Sequence, residues 1–164
     1  ATSYADVREA SKLLNSKFDY QDQQKRMQII NSDGFRQNDP SALSELIKLS
    51  FSKNMARPVL VDSIQLYYPL DFVKKNASLK YLFRDLIDYD LYDACSKISV
   101  PTLILEGDAD IGLEAAKKLS ATIKSSSLHI IPKAGHFPFI ENPWLFDELV
   151  REFLRDPVSA KVAN

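Results

Sequence analysis

The apolar positions of the chain follow one period up to about residue 97 and another beyond it. Tyr4, Val7, Leu14 and Phe18 fall close to a single helical stripe, and Leu43, Leu46 and Ile47 with Ser50 repeat at spacings of three and four. Asp39-Pro40 reads as an N-cap followed by proline at the first helical position, where its missing N–H is not needed. Asn76 is placed to cap a further helix carrying Leu79, Leu82, Phe83 and Leu86. Arg57-Pro58 and Tyr68-Pro69 predict breaks, because a residue before proline avoids the helical region. Residues 1–97 therefore predict a mostly helical region whose apolar stripes pack a core.

From Ile98 the pattern shortens. Val100-Pro101-Thr102-Leu103-Ile104-Leu105-Glu106, ended by Gly107, predicts a buried parallel strand with proline at its first position. Gly112 to Ile123 reads as a helix with Ala116, Leu119 and Ile123 on one face, and Ser127–Ile131 as a second strand. Asn142-Pro143 then opens an amphipathic helix with Leu145, Phe146, Leu149, Val150, Phe153 and Leu154 inward. Strand, helix, strand, helix implies parallel strands joined by a crossover, hence an α/β class for residues 98–164. Two buried strands do not make a stable, doubly covered sheet, so the core sheet is expected to be incomplete here. The missing strands are expected from a preceding N-terminal segment or from a second copy or chain.

Composition narrows the function classes. The chain has 164 residues with a formal net charge of −1, and no basic excess points to nucleic acid or to a membrane surface. No apolar run approaches the roughly 18 residues of a membrane span, and Ala1 is not followed by a signal-like apolar stretch. The missing initiator methionine fits a processed chain or a piece of a longer one. The single cysteine, Cys95, excludes an internal disulfide framework; a reduced cytoplasm fits this, as does an exported protein without disulfides. Of only 4 glycines, Gly107, Gly112 and Gly135 fall beyond residue 100, an asymmetry that points to two kinds of structure in one chain.

The candidate chemistry lies in those loops. In open α/β sheets, sites form beyond the carboxyl ends of the strands. Gly107-Asp108-Ala109-Asp110 follows the first strand and Gly135-His136 the second, and adjacent parallel strands would set the two loops side by side. A carboxylate beside an imidazole fixes its tautomer and stabilises the imidazolium, which suits the histidine to general-base work. His129 reads as an exposed strand residue, and Asp108 as a turn residue bonding to local backbone. Asp108, Asp110 and Gly112 lack the spacing and the later glutamate of a calcium loop, and there is no zinc cluster or glycine-rich phosphate loop, so no metal or cofactor is expected.

These pieces together, Val100–Asp110, Leu128–Pro138 with its Gly-His pair, and Glu141-Asn142-Pro143 followed by the amphipathic helix, resemble the C-terminal end of the α/β-hydrolase family. The resemblance implies that Asp110 is the triad acid and His136 the general base, with Phe137 and Phe139 either lining a substrate cavity or packing the core. It also implies an upstream nucleophile, since the family's order is Ser, Asp, His. The nearest approach to a Gly-x-Ser-x-Gly elbow is Ile30-Asn31-Ser32-Asp33-Gly34, which lacks the first glycine, follows a helical pattern, and reads as a helix end and turn. The nucleophile is therefore expected outside this chain, and residues 1–97 are expected to form a helical cap. The likeness to proline iminopeptidases and esterases implies a small ester, amide or N-terminal-proline peptide substrate. Dehalogenases, epoxide hydrolases and C–C bond hydrolases share the same Asp and His. The competing expectations are a catalytically inactive fragment and an oligomerising or binding module.

Overall fold

The computed structural model describes residues 1–69, 72 and 86–157. The helix expected after Asn76 lies outside the described residues, apart from Leu86. Helices α1 (Tyr4–Ser16) and α2 (Tyr20–Asn31) both begin with a reciprocal capping box, Ser3 with Asp6 and Asp19 with Asp22, which satisfies backbone donors that the first turn leaves open. Ser32 ends α2 and caps the single-turn α3 (Asp33–Arg36), so Ser32 and Gly34 belong to a helix junction. Asp39 caps α4 (Pro40–Lys53) through the Ser41 N–H, with Pro40 at the start as the sequence predicts. A 3-10 helix (Pro58–Ser63) follows the break at Arg57.

The helical expectation is not met everywhere. Ile64–Pro69 is irregular, and Ser3 forms an isolated antiparallel bridge with Asp90. That bridge ties the chain start to residues 89–92: Tyr4 N–H donates to the Tyr89 carbonyl and Leu91 N–H to the Thr2 carbonyl, just before α5 (Tyr92–Cys95).

Beyond α5 the chain is α/β. Strands β1 (Thr102–Gly107) and β2 (Ser126–Ile131) pair in parallel from Thr102 opposite Ser126 to Gly107 opposite Ile131. Helix α6 (Leu113–Thr122) makes the crossover, burying Ala116, and Ile123 at its end is also buried. The short α7 (Pro138–Glu141) and α8 (Pro143–Arg155) complete the described chain. Pro101 stands one residue before β1, where its missing N–H removes no ladder bond.

Burial is lower than the apolar runs predict. Most strand positions are half-buried, and Ile130 stays 44% exposed. The reason is geometric: among the described residues the sheet has two strands, and each has one unpaired edge. On α8 the inward stripe is half-buried, while Leu154 is exposed.

Candidate active site

The parallel pairing ends with both strands delivering loops to one place. An ideal Cβ on Gly107 would lie 2.3 Å from the Ala134 carbonyl oxygen, so only glycine lets the loops touch. Backbone bonds lace them: Asp108 N–H donates to the Ile131 carbonyl and Ala109 N–H to the Ala134 carbonyl. Asp108 itself bonds across the loops, accepting the Ala134 N–H at 3.2 Å, and does not bond to its own turn. His129 is half-exposed on β2, in register with Leu105.

Asp110 and His136 meet. The imidazole Nδ1 lies 2.8 Å from Asp110 Oδ2; the Asp110 side chain is 2% exposed and that of His136 is 55% exposed. Asp110 Oδ1 accepts the Gly112 N–H at 2.6 Å, ahead of α6, which leaves Oδ2 for the histidine. Burial pushes the Asp110 carboxyl up, but hydrogen bonds from His136, Gly112 and Glu106 outweigh it and hold the group below the usual carboxylate range. The hydrogen bond to Asp110 raises His136 above the ordinary imidazole value, against the opposing pull of burial. With Nδ1 engaged, Nε2 carries no hydrogen bond among the described residues and is the nitrogen able to exchange a proton with another group.

Three residues at this site were given no chemical role by sequence reasoning. Glu106, the penultimate residue of β1, lies on the same face as Ile104 and lines a cavity of about 280 Å³ with Asp110 and His136. Burial and the neighbouring Asp110 charge push its carboxyl up to about 7. A carboxylate within an apolar strand was the available signal. Asn54, buried at the end of α4, touches both loops: Nδ2 donates to Asp110 Oδ1 at 3.4 Å, Oδ1 accepts the Ile111 N–H at 3.0 Å, and its carbonyl accepts the His136 N–H at 2.8 Å. Nothing local in the sequence marks it. Glu141, 3% exposed, accepts N–H bonds from Gly135 at 2.6 Å and Arg57 at 2.8 Å, and the Arg57 guanidinium donates to its carbonyl.

Phe137 sits edge-on to His136 with centroids 5.1 Å apart, and continues into an aromatic chain with Phe51, Phe139 and Phe146. It is not among the residues lining the cavity beside Asp110. Among the described residues no helix is long and apolar enough to cross a membrane.

The fold and the site define an α/β chain with a carboxylate–imidazole pair beyond the carboxyl ends of its strands. Comparison with known proteins agrees at that level. A stretch of 65 residues, 39% of this chain, is 37% identical to a Bacillus subtilis (strain 168) protein described as a 2-succinyl-6-hydroxy-2,4-cyclohexadiene-1-carboxylate synthase, of which it covers 24%. A stretch of 71 residues, 43% of the chain, is 37% identical to a proline iminopeptidase of Lactobacillus helveticus (strain DPC 4571), again over 24% of that protein. The likeness thus spans about a quarter of the length of these curated relatives, and it supports the α/β-hydrolase superfamily and nothing narrower. No protein-family profile and no solved structure matches the chain.

Proposed function

We propose that these residues form the acid–base part of an α/β-hydrolase that cleaves a small ester or amide, with a serine nucleophile supplied from outside this chain. The observation that carries the reading is the 2.8 Å contact between buried Asp110 and half-exposed His136 at the strand ends. In this reading His136 Nε2 takes the proton of the nucleophile's hydroxyl as that oxygen attacks the carbonyl carbon. It then gives the proton to the leaving group. Asp110 holds the imidazole in the tautomer with its proton on Nδ1 and stabilises the imidazolium that forms. Phe137 flanks the imidazole, and residues 1–97 act as a helical cap closing over a small substrate. One partial relative is named a peptidase and the other a synthase, so the shared stretch does not by itself choose the reaction. An N-terminal-proline peptide is the amide substrate to try first, from the iminopeptidase likeness.

In the hydrolase containing these residues, His136→Ala and Asp110→Asn are each expected to lower kcat by about a thousandfold or more, with little change in fold. Asp108→Asn keeps its acceptor for the Ala134 N–H and is expected to leave turnover near wild type. Wild-type turnover in His136→Ala would overturn the reading. Fluorophosphonate labelling read by intact mass locates the nucleophile. An adduct on a longer or companion polypeptide, and none on this chain, is the expected result. An adduct on this chain would place the reactive serine inside it.

A further inference from the structure

We propose that Asn54 is the positioning residue of the Asp110–His136 pair, its side-chain amide orienting the carboxylate while its own carbonyl fixes the histidine loop. This rests on the reading of the pair given above and adds to it a residue from the helical region. Asn54 ends α4 with φ −110 and ψ 22. Asparagine is common at helix ends because it tolerates left-handed backbone, and this position is not left-handed, so capping does not account for the residue. Its side chain does. The Ile111 N–H needs an acceptor and takes Oδ1 at 3.0 Å. That fixes the amide plane and turns Nδ2, a donor, toward Asp110 Oδ1 at 3.4 Å. Reversing the amide would set an oxygen against a carboxylate and an NH2 against an N–H. With the Gly112 N–H on the same oxygen at 2.6 Å, Oδ1 is held by two donors and Oδ2 is left facing His136 Nδ1.

The histidine side of the contact is backbone on backbone. His136 N–H donates to the Asn54 carbonyl at 2.8 Å, and a Cβ on Gly135 would lie 2.2 Å from that same oxygen. Gly135 thus permits the approach, and Glu141 ties Gly135 and Arg57 together on the flank. A side chain serving only to fill space at position 54 could be apolar. An apolar side chain would leave the half-buried Ile111 N–H and one buried Asp110 lone pair without a partner.

The test follows the His136 ring by nitrogen-15 NMR in the full chain, which has two histidines, so that His129 serves as the internal reference. The charged groups facing His136, namely Asp110, Glu106 and the Ala1 amino group, remain in place in both Asn54 variants. Asp110→Asn is expected to lower the His136 titration midpoint by about one unit and to shift its Nδ1–H resonance upfield. Asn54→Leu, similar in size and without the hydrogen bonds, is expected to move both readouts the same way, the midpoint by about half a unit or more. Asn54→Asp keeps the acceptor for Ile111 but removes the donor to Asp110. Its added charge raises the midpoint whether or not position 54 orients the pair, so for this variant the Nδ1–H resonance is the readout, expected upfield of wild type as in Asn54→Leu. This variant decides the matter if Asn54→Leu fails to give a folded spectrum. A wild-type midpoint in folded Asn54→Leu, or a wild-type Nδ1–H resonance in Asn54→Asp, with Asp110→Asn still shifted, would overturn the positioning role and leave the pair standing. A wild-type midpoint in Asp110→Asn would overturn the pair itself and the positioning role with it.

Discussion

At the scale of single residues, the site combines two carboxyls with opposite tendencies a few positions apart. Asp110 is held ionised by its hydrogen bonds, whereas burial and the Asp110 charge push Glu106 up to about 7. A group raised in the folded state binds protons there that the unfolded chain has already released. The stability Glu106 contributes is therefore complete below its unfolded value of 4.5, falls as pH rises, and is lost once pH passes about 7. Asp110 runs the other way, its contribution being lost only as pH falls through and below the usual carboxylate range. Discounted for partial exposure, the Glu106 contribution is roughly 2 kcal/mol. Urea unfolding of the wild type at pH 5 and pH 7.5 is expected to show that loss at the higher pH. Glu106→Gln should remove the part lost between pH 4.5 and about 7, leaving the loss above pH 6.5 that comes from raised His136. An unchanged pH slope in Glu106→Gln would refute the assignment.

Residue by residue, the sequence makes part of the site legible. The two loops can be read because a parallel pair must deliver its strand ends to one side, and Asp110 and His136 each follow a strand closely. Asn54 cannot be read that way. Its bonds reach 56 and 57 positions along the chain, and no local pattern encodes a contact of that span. Glu141 appears in the terminal pattern of the family resemblance, but its partner Arg57 is 84 positions away.

Among the elements, the Asp-Pro and Asn-Pro pairs marked helix starts, with a cap bond at Asp39 and none at Asn142, whereas the apolar runs overstated burial. Asp39-Pro40 opens α4 as read, because capping depends on neighbours a few residues apart. The strands are less buried than their apolar runs predict, because burial depends on what covers their edges. The capping box of α1 carries an added duty. Ser3 is 2% exposed, bridges to Asp90, and shares Asp6 with the Tyr92 hydroxyl, which donates to Asp6 Oδ2 at 2.8 Å. Burial and the Asp6 carboxylate push the Tyr92 phenol up to about 12, so it remains a donor at any ordinary pH. Ser3→Ala is expected to cost about 1 kcal/mol in denaturant unfolding, the usual effect of losing such a cap. A change within a few tenths of a kcal/mol would mean that the bridge backbone, not the cap, secures α1.

For the molecule as a whole, the α/β class was readable from the change of period near Ile98. The joining of the two regions was not, because it runs through Asn54 and Arg57, whose partners lie beyond β1. That joining has a kinetic consequence. The β1–α6–β2 unit closes over a short stretch of chain, while the Asn54 and Arg57 contacts close loops of 57 and 84 residues, and longer closures carry a larger entropy cost before any contact repays it. The β1–β2 ladder is therefore expected to become protected from amide exchange early in refolding, and the Ile111 and His136 amides late. Pulse-labelled exchange would show the order, and simultaneous protection would contradict it. In that sequence of events the Asn54 bonds to the two loops are the last to form, so a partly folded chain presents a finished strand pair whose carboxylate and imidazole are near each other but not yet fixed from the helical side.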